Sequence, residues 1–106
     1  MLRRNRLALA VARRDGDVCW ICGMRVEQII SGRDDLGNNS LVASVDHVLP
    51  VTSGGTRNLN NLKLTHRCCN VRRGNREVTE DLREVCRKVV RRLRAGEGEA
   101  KCKPTS

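Results

Sequence analysis

The amino-acid sequence predicts a small α+β domain that is stapled by a ligand instead of being held by its own core. Three observations carry this. The chain has 106 residues, an ordinary length for one domain, and a domain of that size buries only about two thirds of the surface its unfolded chain exposes. It has one Trp and no Phe or Tyr, so it lacks the side chains that bury the most area, whereas its six cysteines offer a staple. Finally, apolar residues at helical spacing near both ends flank a Val-rich central stretch bounded by turns.

Taken in order, residues 2–14 read as a helix with Leu2, Leu7, Leu9, Ala10 and Val11 on its apolar side, ended by Asp15-Gly16. Cys19 to Gly23 is a tight turn of the zinc-knuckle kind. Residues 25–39 read as a loop, because Gly32, Asp34, Asp35, Gly37, Asn38 and Asn39 cluster there. Leu41 to Val48 reads as a strand, Ser53-Gly54-Gly55 as a turn, and Leu59 to Thr65 as the returning strand. A short basic helix follows from Arg67 to about Arg76. Thr79 is a good N-cap for the last helix, with Glu80, Asp81 and Glu84 in its first turn, where the helix dipole favours acids. Leu82, Val85, Cys86, Val89, Val90 and Leu93 then fall at helical spacing, and Gly96 is the stop. Residues 1–96 thus read as one domain with its core at 19–76, and the polar tail 97–106 as disordered.

Charge points to a polyanion. Lys and Arg number 21 against 12 Asp and Glu, a net charge of +9. Residues 1–14 carry five arginines and no acid, and residues 57–76 carry Arg57, Lys63, Arg67, Arg72, Arg73 and Arg76, again with no acid. Arginine's planar fork suits phosphate, so nucleic acid is the simplest partner; a solvated basic surface is the plain alternative. The start, MLRRNRLALAVARR, mimics a secretory signal, but its apolar run Leu7–Ala12 is too short for one; an Arg-rich transit peptide is the competing reading. No segment reaches membrane-spanning length. The expectation is a cytoplasmic protein, where cysteine pairs more often bind metal than form disulfides.

Cys19-x-x-Cys22 is half of a tetrahedral zinc site, because two thiolates three residues apart on a tight turn reach one ion without strain. His66-x-x-Cys69 repeats the spacing and completes a structural Cys3His set with no open position. Cys68 competes with Cys69, although His66-x-Cys68 would be cramped. Cys86 falls on the apolar stripe of the last helix and reads as a buried small hydrophobe. Cys102, in the tail, has no assigned role. A thiol redox protein built on Cys19 and Cys22 is a weaker reading, which the second pair opposes.

Between the two pairs lie Val45-Asp46-His47-Val48-Leu49-Pro50, Gly54-Gly55 and Asn61-Leu62, and after them come Cys69-Asn70 and Arg72-Arg73-Gly74. This order resembles the HNH endonuclease family: Asp-His ending a strand, a Gly-rich turn, Asn-Leu on the next strand, and Asn opening a helix beside a zinc ligand. The resemblance covers Cys19 to Gly74, about half of the chain. It implies a ββα-metal (His-Me finger) core with zinc knuckles and flanking N- and C-terminal helices, and a metal-dependent hydrolysis of DNA phosphodiester bonds.

By that resemblance His47 is the general base, Asp46 and Asn70 hold a catalytic Mg2+ or Mn2+, Asn61 fixes the loop that carries His47, and Zn2+ on Cys19, Cys22, His66 and Cys69 is the scaffold. The residue types suit the chemistry. A histidine titrates near neutral pH and can take a proton from water, and a hard cation prefers oxygen ligands such as Asp46 and Asn70 supply. Asn58 and Asn60 compete with Asn61, and Asn70 has a plainer reading as a helix N-cap. Arg67, Arg72, Arg73 and Arg76 are expected on DNA phosphates, which give affinity without sequence reading. A likeness of the chain ends to small phage nucleases extends the expectation to a bacterial host cell and to phage terminase or packaging proteins as partners, with oligomeric state open. The second functional reading is a non-catalytic zinc module that binds nucleic acid.

Overall fold

The structure is a computed structural model that describes residues 3–4, 6–27, 29–31 and 41–96. A two-residue strand, β1 (Arg3–Arg4), pairs antiparallel with β2 (Ile30–Ser31). The helix expected from residue 2 therefore starts later, as α1 (Arg6–Asp15), and the stretch read as a loop holds a short ladder. Two residues are too few for a period of two to register in sequence. The glycines, acids and asparagines from 32 to 39 that suggested the loop lie outside the described residues, as do the tail 97–106 and Cys102.

Helix α1 buries Ala8 and Val11, whereas Leu7 is half exposed. The small residues thus form the inner face, with Ala12 packed beside them. Without long side chains between them, the helix can lie close against its neighbour. Arg14 fastens its C-terminal end through hydrogen bonds to the carbonyls of Leu59 (2.6 Å) and Leu62 (2.7 Å).

The neighbour is an antiparallel hairpin of β3 (Ala43–His47) and β4 (Leu62–His66), registered from Ala43 opposite His66 to His47 opposite Leu62. In β4 the adjacent residues Leu64, Thr65 and His66 are all buried. Side chains alternate across a strand, so both faces of β4 are covered. This is why the strand alternates only weakly in sequence. The returning strand begins at Leu62 and not at Leu59, because Leu59–Asn61 form a single 3-10 turn entered from extended Asn58.

Helix α2 (Arg67–Arg73) leaves β4 directly, with His66 as its N-cap residue, and stops at Gly74. Helix α3 (Glu80–Arg94) starts where the sequence placed it: the Thr79 hydroxyl accepts a hydrogen bond from the Leu82 amide at 3.2 Å. Leu82, Cys86 and Val90 are its buried stripe, Val89 and Leu93 flank it, and Val85 is exposed. The core contains four cysteines besides Cys86 (Cys19, Cys22, Cys68 and Cys69), together with Ile21, Val26, Leu62 and Leu64. The result is a small α+β fold whose centre is lined with sulfur. No described helix is long and apolar enough to cross a membrane.

Candidate nuclease site beside a metal staple

The knuckle forms because Gly23, at φ +78°, turns the chain back after Cys22. The Gly23 amide reaches the Cys19 carbonyl (2.9 Å), and the Cys19 amide reaches that of Met24 (2.9 Å). The turn is then pinned to the hairpin by the Trp20 amide on the Leu64 carbonyl, at 2.9 Å. The second pair sits where β4 becomes α2. Together Cys19, Cys22, His66 and Cys69 place their ligand atoms within 4.8 Å of one another, and all four residues are buried.

That size fits one ion. A tetrahedron with metal–sulfur bonds of about 2.3 Å has edges of about 3.8 Å. His66 Nδ1 lies 3.4 Å from the Cys22 sulfur and 3.9 Å from that of Cys69. Its other ring nitrogen, Nε2, is 3.0 Å from the Arg25 carbonyl. A carbonyl only accepts, so Nε2 carries the proton and Nδ1 presents its lone pair to the cluster, the outer-shell arrangement that orients metal-binding histidines. Without an ion, burial pushes the His66 imidazole down, but its contacts with the Cys19 and Cys22 sulfurs outweigh that and hold it up at about 10, so Nδ1 takes a proton that a bound metal ion would displace. Contacts with Cys22 and Cys69 hold the Cys19 thiol down. Between the two candidates for the fourth ligand, the geometry selects Cys69. Cys68 is buried beside it, with the two sulfurs 4.0 Å apart, and Cys86 is buried as read from its stripe.

Asp46 and His47 end β3, and Asn70 comes from the middle of α2. All three line one cleft of about 210 Å³, with Pro50, Val51, Thr52, Gly74 and Asn75. Asn70 does not open its helix and is not its N-cap, because α2 already starts at Arg67. Its Nδ2 donates to the Ser44 hydroxyl (2.9 Å) and the Val45 carbonyl (3.2 Å). Those bonds fix the amide and leave its Oδ1, an acceptor, with ligand capacity. His47 Nε2 is buried and has no hydrogen-bond partner among the described residues. Buried polar groups are rarely left so, and those that are need an explanation; a group bound in the cleft would supply one. Together these features fit a divalent cation.

Asn61, and not Asn58 or Asn60, grips the segment after His47. Its Oδ1 accepts from the Leu49 amide (2.9 Å), and its Nδ2 donates to the carbonyls of Leu49 (3.1 Å) and Thr56 (2.8 Å). The same segment needs Gly55. A Cβ there would lie 1.7 Å from the Leu49 carbonyl oxygen.

One expected phosphate contact is corrected. Arg73 is only 3% exposed, and four of its donor bonds are spent inside the protein. Its Nη1 donates to Asp46 Oδ2 (2.6 Å) and the His47 carbonyl (2.8 Å), its Nη2 to the Val48 carbonyl (2.9 Å), and its Nε to the Arg76 carbonyl (2.7 Å). It cannot face DNA. Arg67 and Arg76 are exposed and Arg72 is half-buried; Arg76 also donates to the backbone carbonyls of Arg72 and Arg73.

Sequence reasoning missed Trp20 as part of this site. Its Nε1 donates to Asp46 Oδ2 at 3.0 Å, and its ring lies under the Arg73 guanidinium, 5.5 Å from the centroid. The signal was in view: the only aromatic residue of the chain stands inside the knuckle. Burial pushes the Asp46 carboxyl up, and Arg73 opposes that shift.

Compared with known proteins, the chain matches no curated protein and no solved structure. A family model described as HNH endonuclease matches residues 19–76, which is more than half of the chain and spans every residue of the staple and the cleft floor discussed above. On that match, and on an antiparallel hairpin followed by a helix with the staple at its base, the chain belongs to the HNH endonuclease family.

Proposed function

We propose that this protein is a metal-dependent endonuclease that hydrolyses phosphodiester bonds in DNA. The observation that carries the reading is the convergence of Asp46, His47 and Asn70, from two different elements, on one cleft. A zinc module that only binds nucleic acid has no use for that convergence. Zn2+ on Cys19, Cys22, His66 and Cys69 would fix β4 and α2 against the knuckle, and the arrangement keeps no position open for substrate.

The chain's own part in the reaction follows from its donors and acceptors. His47 takes the proton of the attacking water at a ring nitrogen. Asn61 keeps the segment after His47 in one place, so the base does not wander from its angle of approach. Asp46 and Asn70 supply oxygens for Mg2+ or Mn2+, which when bound neutralises charge on the phosphate and leaving oxygen. Arg67, Arg72 and Arg76 would hold the backbone of the duplex from the side of α2. A role beside phage packaging proteins belongs to the same proposal and rests on the likeness of the chain ends to small phage nucleases.

The test is cleavage of supercoiled plasmid by the zinc-loaded protein. We expect nicking or cutting with Mg2+ or Mn2+, none after His47→Ala, and none after Asn70→Ala although helicity by circular dichroism is unchanged. Cutting by His47→Ala at the parent's rate would overturn the mechanism. Adding purified packaging enzyme tests the partner: an unchanged rate argues against it.

A further inference from the structure

A trio of partly buried Trp20 with buried Asp46 and Arg73 joins the staple to the cleft. Trp20 sits between the staple ligands Cys19 and Cys22, and three of its polar groups are held. Its amide is bound to Leu64, its carbonyl accepts from Arg83 Nη1 at 3.2 Å, and its Nε1 donates to Asp46 Oδ2. Arg73 closes the other side of the same carboxylate oxygen. It also binds the His47 and Val48 carbonyls, so one planar fork spans Asp46 and the backbone of the neighbouring base. Among the described residues, both hydrogen bonds to the Asp46 carboxylate fall on Oδ2. With Oδ2 tied from two directions, the carboxylate cannot rotate freely.

We propose that Trp20 and Arg73 are positioning residues of the nuclease centre: they lock Oδ2 of Asp46 so that Oδ1 serves the divalent ion, and Trp20 makes that lock depend on the metal staple. The inference rests on the nuclease reading above. Neither residue touches the reacting atoms. Trp20→Phe keeps an aromatic ring in this place, somewhat smaller than indole, and removes the N–H donor. Arg73→Lys keeps the charge and loses the fork, since one ammonium cannot hold the carboxylate and two carbonyls in the same geometry. Outer-shell partners of this kind typically change metal affinity or activity by roughly 10–100-fold when removed.

The experiment uses the zinc-loaded full chain. Mn2+ binding is measured by electron paramagnetic resonance, plasmid cleavage is separated into kcat and KM, and zinc content and circular dichroism report the fold. Trp20→Phe should retain one zinc and the parent's dichroism, bind Mn2+ at least tenfold more weakly, and lose kcat with little change in KM for DNA. Arg73→Lys should behave alike. Mn2+ affinity and kcat within twofold of the parent would overturn the inference. A third readout needs no variant. Trp20 is the only aromatic residue, so the parent's emission reports on this trio alone. Mg2+ should change that emission with the same midpoint as its stimulation of cleavage; emission that stays constant while cleavage rises would also overturn it. A parent that neither binds Mn2+ nor cuts would instead sink the nuclease reading itself.

Discussion

Arg73→Met removes a cation from a place where nothing else can replace it. Asp46 is 4% exposed and Arg73 3% exposed, and they meet at 2.6 Å. The substitution keeps the volume and leaves a buried carboxylate with only the Trp20 N–H to compensate it. Breaking a buried pair from one side typically destabilises by about 3–5 kcal/mol. The carbonyls of His47, Val48 and Arg76 lose this donor as well, but those bonds are only partly buried, so water can replace part of the loss. We therefore expect about 3–5 kcal/mol in all, a large share of the roughly 5–15 kcal/mol that holds a domain together. With a urea dependence of about 1–3 kcal/mol per molar, the unfolding midpoint should drop by roughly 2 M, measured at fixed free zinc so that mass action on the staple cancels.

The same variant has a pH signature. Burial holds the folded Asp46 carboxyl above its ordinary value, against the pull of Arg73. A carboxyl raised in the folded state binds its proton more tightly there, so its contribution to stability falls as pH rises from the unfolded value through the folded one, and is level above that. Without Arg73 the folded value moves further up and the window widens upward. The gap between parent and Arg73→Met should therefore be smaller at pH 5 than at pH 7.5, because protonation relieves the stranded charge. A loss below about 1 kcal/mol, or an equal gap at both pH values, would refute the assignment of Arg73 as the buried counter-ion.

Other substitutions separate the scaffold from the cleft. Gly55→Ala puts a Cβ 1.7 Å from one backbone oxygen and 2.9 Å from another, atoms with no side chain to swing aside; we expect at least about 2 kcal/mol of destabilisation in urea and a loss of plasmid cleavage. Cys69→Ala should lose bound zinc, cooperative unfolding and cleavage together, since structural zinc contributes roughly 10–16 kcal/mol in small modules; retention of one equivalent of zinc by mass spectrometry would reassign the fourth ligand. Asn61→Ala removes three hydrogen bonds to the segment after His47, each contributing about 1 kcal/mol net. Its zinc content should be unchanged while kcat falls.

Local signals carried far in this chain. The two Cys/His pairs announced their own spacing, because ligands on one turn must be neighbours in sequence. Thr79 and the acids behind it marked the start of α3, since an N-cap works on amides two or three residues away. Asp46-His47 and Asn70 were legible through the order of a family motif, which is a record of sequence and not of contacts. Elsewhere the local rules gave way. Leu7 faces out and Ala8 faces in, because the distance between α1 and the hairpin, which no single element sets, favours the smaller side chain.

Arg73 is the sharpest case. In sequence it is one of a run of exposed-looking arginines beside Arg72 and Arg76, and charge composition alone assigns it to phosphate. The fold turns it inward, where α2 crosses the end of β3 and Asp46 lies ready to receive it. Trp20 likewise reads as a stray aromatic until the knuckle docks on β4 and brings it to the same carboxylate. The sequence by itself determined each ligand pair and the start of α3, because those depend on neighbours along the chain, and the order of the family motif named Asp46, His47 and Asn70; that the two pairs meet, and that the three share a cleft, required the fold. The partners of Asp46, and which cation stays available for DNA, were decided by tertiary structure, because a charge that must leave water takes whatever counter-charge the packing brings within about 3 Å.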